Sequence, residues 1–162
     1  LPVIFIVQNN RYAISVRPEQ QMAVKSAADK ACGLGLSGRA VDGTNVFAVY
    51  QEVAQAVSDA RSGLGPTLIE TQLYRITPHS SDDDDRTYRS REEVEENKKR
   101  DPLLVARTLL EEEGLLTAAL VEEYETRAKE MIDEAVRFAE QAPYPAVEEA
   151  AYPVYAEEIR HG

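Results

Sequence analysis

The first seven residues, Leu1-Pro2-Val3-Ile4-Phe5-Ile6-Val7, form an unbroken apolar run that stops abruptly at Gln8-Asn9-Asn10-Arg11. A short run with no polar alternation reads as a strand buried on both faces, the kind found in parallel sheets. Parallel neighbours cannot be joined by a hairpin, so this opening commits the following chain to crossover helices. No Met precedes the run. Termini are usually exposed, so a core strand at the very start is expected of a fragment, or of a chain whose upstream part is missing; a strand at a sheet edge is the alternative. If upstream strands are missing, an exposed sheet edge or apolar face should follow, and with it self-association.

The rest of the first half alternates as that opening requires. Residues 26–32 read as helix, with Gly33 as a stop, and Arg39-Ala40-Val41 as a short strand ended by Asp42-Gly43. Val46, Val49, Tyr50, Val53, Ala54, Val57 and Ala60 recur at spacings of three and four, which predicts a strong helix. Thr44 or Asn45 can cap its start and Gly63 can end it. Residues 66–74 then read as another strand. Strands separated by helices imply right-handed crossovers and a parallel sheet, so the fold class is α/β.

The second half is mostly helical. Helices are expected near 90–99 and 101–113, and the longest over 117–141. There Leu120, Val121, Tyr124, Ala128, Met131, Ile132, Ala135 and Phe138 share one face, Thr117 caps and Pro143 stops. From Ala142 onward Pro and Tyr recur without helical period, which reads as an extended tail. Its Tyr144, Tyr152 and Tyr155 suit docking on a partner subunit or on the chain's own domain. The expected organisation is therefore an α/β part over 1–80, a loop and helical region over 81–141, and a tail over 142–162.

Charge separates the same regions. The 162 residues carry 18 Lys and Arg against 29 Asp and Glu, a net −11, and residues 1–80 hold only 7 and 6 of these. The acidity belongs to the second half, and such a balance opposes a general nucleic-acid-binding role. No apolar run approaches the ~20 residues of a membrane span. A single cysteine, Cys32, cannot form an internal disulfide, and no Cys/His cluster suggests structural zinc.

Two motifs compete for attention. Gly33-Leu34-Gly35-Leu36-Ser37-Gly38 matches G-x-G-x-x-G. A dinucleotide site needs a strand before that pattern and a helix after it, and here the order is reversed. It reads as a helix-to-strand turn, with a nicotinamide-binding protein as the competing assignment. The second motif is Asn9-Asn10-Arg11-Tyr12-Ala13-Ile14-Ser15, just beyond a parallel strand, where ligands of open α/β sheets bind. Asn side chains there offer neutral oxygens, a backbone carbonyl two residues on can join them, and magnesium accepts such a set. On the residues alone, the pair is either that or a turn.

The order of motifs along the chain resembles the alpha subunit of the thiamine-diphosphate-dependent dehydrogenase (decarboxylating) component of 2-oxo acid dehydrogenase complexes. The segments that carry the resemblance are Asn9-Asn10-Arg11-Tyr12-Ala13-Ile14-Ser15, Ala28-Asp29-Lys30-Ala31, Val41-Asp42-Gly43, Gly65-Pro66-Thr67-Leu68-Ile69-Glu70 and Tyr74-Arg75. They continue through Pro78-His79-Ser80-Ser81-Asp82-Asp83, Tyr88-Arg89, Lys99-Arg100-Asp101-Pro102 and Val154-Tyr155-Ala156-Glu157. Ala13-Ile14-Ser15 looks branched-chain-like rather than pyruvate-like. The Asn pair resembles the close of a cofactor motif whose Gly-Asp-Gly opening lies upstream of Leu1, so the resemblance is to the C-terminal part only of the family's thiamine-diphosphate-binding fold.

The resemblance implies thiamine diphosphate and Mg as cofactors. Asn10 would bind magnesium through its side-chain oxygen and Tyr12 through its backbone carbonyl, while Asn10, Arg11, Tyr12, Ala13, Ile14 and Ser15 would line the cofactor. His79 would sit near the diphosphate and the reacting centre as a catalytic residue, and Arg75 would help order its loop. Ser80 and Ser90 resemble places phosphorylated in mitochondrial relatives. Gln8 stands where some branched-chain members place an Arg on the diphosphate. The run Asp82-Asp83-Asp84-Asp85 is expected to be a loop of mutually repelling charges that orders on cofactor binding, rather than a metal site.

The implied function is oxidative decarboxylation of a branched-chain 2-oxo acid or pyruvate, with acyl transfer to lipoyl, by an alpha2beta2 heterotetramer that also meets a lipoyl acyltransferase component. The chain alone would be inactive, lacking the upstream half and the beta subunit's Glu. The competing reading is a non-catalytic subunit-interaction module without cofactor. No nucleic-acid or membrane partner is expected, and the location would be the bacterial cytoplasm, or the mitochondrial matrix in a eukaryote.

Overall fold

The middle of the sheet is the strand that comes last in sequence. In the computed structural model, which describes residues 1–151, β1 (Ile4–Asn9), β2 (Ser37–Asp42) and β3 (Thr67–Gln72) form one sheet in the order β1-β3-β2. Both pairings are parallel, with Ile4 and Ser37 each opposite Thr67, and Asn9 and Asp42 each opposite Gln72. All three strands thus end at one level, and the loops that leave them share one edge.

The two faces of β3 bury different chemistry. Ile69 is fully enclosed and lies level with Arg39, whose guanidinium pairs at 2.5 Å with Asp59 of α3 (Val46–Arg61). The opposite face presents Glu70 to the segment carrying a 3₁₀ turn (Ala27–Asp29) and α2 (Lys30–Gly33). There Glu70 accepts from Ser26 Oγ, from the Ala28 amide at 3.1 Å and from Asn9 Nδ2 at 2.6 Å. Burial pushes the Glu70 carboxyl up, but donors from Asn9, Ser26 and the turn amides outweigh it and hold the group below its ordinary range. A carboxylate in a central strand is tolerable only when so many donors meet it.

The expected elements form, with differences in what they bury. Asn45 rather than Thr44 caps α3, taking the Phe47 and Ala48 amides, and Gly63 leaves the helix at φ +81°. Its enclosed residues are Ala56 and Ala60, while Tyr50, expected on that face, is exposed. The small side chains let the helix axis approach the sheet closely. The glycine pattern at 33–38 is a helix-to-strand turn: Gly33 ends α2 and Gly38 is already in β2. A Cβ on Gly38 would collide with the Ala28 carbonyl oxygen and lie 2.9 Å from the Ala31 Cβ. That glycine serves close packing.

The opening strand departs from the expectation of burial on both faces. Phe5 and Ile6 point to opposite faces of β1 and both are about half exposed. The reason is position: β1 lies at an edge of the three-stranded sheet, whereas the enclosed residues centre on β3.

The sheet belongs to a compact unit spanning Leu1–Leu115, which also contains the short α1 (Pro18–Gln21), α4 (Arg91–Lys98) and α5 (Pro102–Glu112). Ser90 Oγ accepts from the Glu93 amide and Asp101 from the Leu103 amide, which caps α4 and α5. A second unit begins at Leu116 and is built on α6 (Ala118–Gln141), capped by Thr117. Val147–Ala151 is a 3₁₀ turn where an extended tail was expected, and Tyr144 before it is exposed. Tyr152 and Tyr155 lie outside the described residues. Among the described residues no helix is long and apolar enough to cross a membrane.

Candidate functional site

The two asparagines after β1 separate in role. The Asn9 amide is held by buried Glu70, and its Oδ1 accepts from the Arg11 amide at 3.2 Å. Asn10 Oδ1 accepts from the Tyr12 amide, also at 3.2 Å. Two successive Asx turns twist the chain into a compact loop. Arg11 sits at φ +72° and Ile14 at φ +56°. The left-handed region is costly for any side chain and most of all for a β-branched one, about 1–3 kcal/mol per residue, and such strain concentrates at functional sites. Ala13 and Val16 close the Ile14-Ser15 turn with mutual backbone bonds of 2.9 and 3.0 Å.

Arg75 holds the strained carbonyls. The Arg75 amide donates to Asn10 O at 3.1 Å, extending the β1–β3 ladder beyond the strands. Its guanidinium donates to Tyr12 O at 3.2 Å, to Ile14 O at 2.5 Å and to the Tyr88 hydroxyl at 3.1 Å. Among the described residues its Nε is buried without a partner. The Tyr88 hydroxyl donates to Asp83, which also accepts from the His79 amide at 2.9 Å. A continuous chain of polar contacts therefore joins the 10–15 loop to the His79 loop. The Tyr88 bond first, and then the His79 amide, hold the Asp83 carboxyl below its usual range.

Behind the loop lies a tyrosine cluster. Tyr12 is only 4% exposed, and its ring meets Tyr74 edge-on at 6.1 Å and Tyr88 at 5.5 Å. Its hydroxyl donates to Glu93 Oε1 at 2.7 Å, the Tyr74 hydroxyl reaches the same oxygen at 3.1 Å, and Arg17 pairs with Oε2 at 2.6 Å. Burial, reinforced by the bond to Glu93 and its charge, pushes the Tyr12 phenol up to about 12. Burial raises the Glu93 carboxyl, but the three donors prevail and its net shift is downward. The Arg89 guanidinium, fully enclosed, lies 5.4 to 6.0 Å from the three rings. It donates to Asp85 and to the Arg75 and Ile76 carbonyls, so its charge is both paired and hydrogen-bonded.

Not all of the expected site residues share one surface. Asn10, Tyr12 and Ala13 line a cleft of about 190 Å³ with Val7, Met22 and Ala27. Arg11 turns away and lines a separate cavity of about 200 Å³ with Asp42, Thr44 and Arg100. Ile14, Ser15 and His79 line neither. The Asp82-Asp83-Asp84-Asp85 run is not simply a set of repelling charges: Asp83 meets Tyr88, Asp84 pairs with Arg86 at 2.6 Å, and Asp85 pairs with Arg89.

Sequence reasoning passed over Arg17 and Glu93, and quoted Arg89 only within the Tyr88-Arg89 segment without giving it a role. The signal for Glu93 was local: Ser90-x-x-Glu93 matches a capping box and so explains itself as a helix start. Among the described residues, no group of three or more His, Cys, Asp or Glu side chains is placed to hold a metal. The donors that remain are Asn10 Oδ1 and Tyr12 O, neutral oxygens two residues apart. Each accepts one bond here and has a second lone pair, which suits part of a hard cation's shell when the rest comes from phosphate and water.

Comparison with known proteins adds a family to this geometry. A family model described as the dehydrogenase E1 component matches residues 1–148. The chain is 51% identical over 156 residues to the 2-oxoisovalerate dehydrogenase subunit alpha of Bacillus subtilis, covering 96% of this chain and 47% of that protein. It is 44% identical over 156 residues to the 3-methyl-2-oxobutanoate dehydrogenase subunit alpha of Mycobacterium tuberculosis, covering 96% and 42%. The pyruvate dehydrogenase E1 component subunit alpha of Bacillus cereus is 45% identical over 143 residues, covering 88% and 38%. The chain thus spans about half the length, or less, of the curated relatives it matches.

Proposed function

Because the chain belongs to the dehydrogenase E1 component family, we propose that it is the cofactor-facing C-terminal part of an alpha subunit that decarboxylates a 2-oxo acid with thiamine diphosphate and magnesium. The 51% identity to the branched-chain relative of Bacillus subtilis supports a branched-chain 2-oxo acid as substrate, while a second branched-chain relative at 44% stands level with a pyruvate relative at 45%. The working enzyme would pair this subunit with a beta subunit and pass the acyl group to the lipoyl of an acyltransferase component.

The observation that carries this reading is the tie made by Arg75 between the 10–15 loop and the His79 loop, at the carboxyl edge of a parallel sheet. When bound, thiamine diphosphate supplies a ring that accepts the electron pair released as carbon dioxide leaves. This chain's residues hold and orient. Asn10 Oδ1 and Tyr12 O offer two oxygens to magnesium, and the strained backbone keeps both in place. The exposed His79 imidazole, on a loop braced by Asp83, is free to contact a diphosphate oxygen or to move a proton during acyl transfer. The half-exposed Phe5 and Ile6 fit this reading, with strands supplied from upstream, and fit equally the second reading, a subunit-interaction module without cofactor.

One titration separates the two. Thiamine diphosphate with magnesium is titrated calorimetrically into the full-length alpha subunit assembled with its beta subunit, and into the 162-residue chain alone. The assembly should bind, the chain alone should bind little or not at all, and Asn10→Ala should weaken binding by about tenfold or more, at least what loss of an outer-shell partner costs a metal site. Unchanged binding by Asn10→Ala would leave only the interaction module.

A further inference from the structure

Residue Glu93 stands 81 positions from Tyr12 and on a different element, yet its carboxylate does nothing for its own helix. The sequence Ser90-Arg91-Glu92-Glu93 has the spacing of a capping box, in which the acidic side chain returns to the cap amide. The box formed by Ser26 and Asp29 closes in that way, Asp29 accepting from the Ser26 amide at 3.0 Å. The box at α4 stays half open: Ser90 Oγ takes the Glu93 amide at 3.1 Å, while the Glu93 side chain leaves to meet Tyr12, Tyr74 and Arg17. Both carboxylate oxygens are thereby committed to groups on or beside the 10–15 loop.

We propose that Glu93 is a positioning residue for the cation-binding loop, acting through the Tyr12 side chain on the Tyr12 carbonyl. The inference rests on the proposed cofactor reading and deepens it. Tyr12 is fixed from three directions. Its carbonyl accepts from Arg75, its ring packs against Tyr74, Tyr88 and the Arg89 guanidinium, and its hydroxyl ends on Glu93. The residue follows left-handed Arg11 and stands two before left-handed Ile14, so it belongs to a loop that would not keep its conformation unaided. A side chain anchored at its tip cannot rotate about its backbone without breaking that anchor. Glu93 therefore sets the direction in which the carbonyl oxygen faces, without touching cation or cofactor itself.

Glu93→Gln removes the charge that draws Arg17 and both phenols, and Tyr12→Phe removes only the hydroxyl. Both are made in the full-length alpha–beta assembly, alongside Asn10→Ala. Magnesium is titrated at saturating thiamine diphosphate, and the thermal midpoint of each cofactor-free protein is measured. Glu93→Gln and Tyr12→Phe should each weaken magnesium binding about tenfold, the low end of what outer-shell partners contribute. The apparent KM for thiamine diphosphate should rise more than kcat falls. The double variant should bind no more weakly than the worse single, since both cut one connection. Wild-type magnesium affinity in Tyr12→Phe, with a lowered midpoint, would overturn the proposal and leave Glu93 a structural tie. Tyr12→Phe decides the matter if Glu93→Gln does not fold. If Asn10→Ala also binds normally, the cofactor reading itself falls; if only Asn10→Ala is impaired, the positioning role alone falls.

Discussion

The sheet unit and the long helix α6 contain similar kinds of apolar residue and use them differently. In the sheet unit the central strand is enclosed on both sides, and a polar network has been built inside to match: Glu70 with Ser26, Asn9 and the Ala28 amide. On α6 the stripe of Tyr124, Met131, Ile132 and Phe138 is exposed, with Phe138 at 76%. Periodicity alone predicts both helix and stripe, but it does not say whether a stripe is covered. Burial is decided by what folds against the stripe, and the period of the stripe does not record that.

That contrast can be broken by mutation. Ile69→Ala in the central strand should cost about 2–5 kcal/mol in denaturant unfolding, the range for truncating an enclosed aliphatic side chain. A smaller value would mean that the sheet is less closed than it looks. The second unit should lose about 1 kcal/mol through Thr117→Ala, because the Leu120 amide loses its cap at the start of α6. Phe138→Ser should change the stability of the chain by less than about 0.5 kcal/mol, as surface substitutions do. A loss as large as that of Ile69→Ala would erase the difference between the two regions. A change confined to assembly with other subunits would sharpen it, showing the stripe to be a docking face.

A pH experiment tests the buried network separately. Glu70 is held below its ordinary range in the folded state, so it contributes stability above the unfolded carboxyl pKa, and that contribution is lost as pH falls through the folded value. Stability measured from neutral to acidic pH should therefore decline less steeply in Glu70→Gln than in the parent chain. Parallel curves would remove Glu70 from the acid response.

Local signals in the sequence are reliable for elements and poor for connections. The caps at Asn45, Ser90, Asp101 and Thr117, the α6 periodicity and the Asn10 loop are each written within a few neighbouring residues. Arg89 and Glu93 act on partners that only folding brings near, and each has a sufficient local excuse. Arg89 reads as the i+4 mate of Asp85, and Glu93 as half of a capping box. Tyr12 carries no mark of the depth at which it is buried. The aspartate run misleads for a related reason: repulsion between neighbours is local, whereas Tyr88, Arg86 and Arg89, which answer it, arrive with the turn over Asp85–Thr87.

The strand order has a consequence for biosynthesis. A ribosome delivers β1 and β2 before β3, and the edges these two strands turn toward each other stay unpaired until residues 67–72 emerge to fill the slot between them. Until then both rims present unmatched amides and carbonyls, so the nascent polypeptide must carry an unzipped slot through some thirty residues of translation after β2.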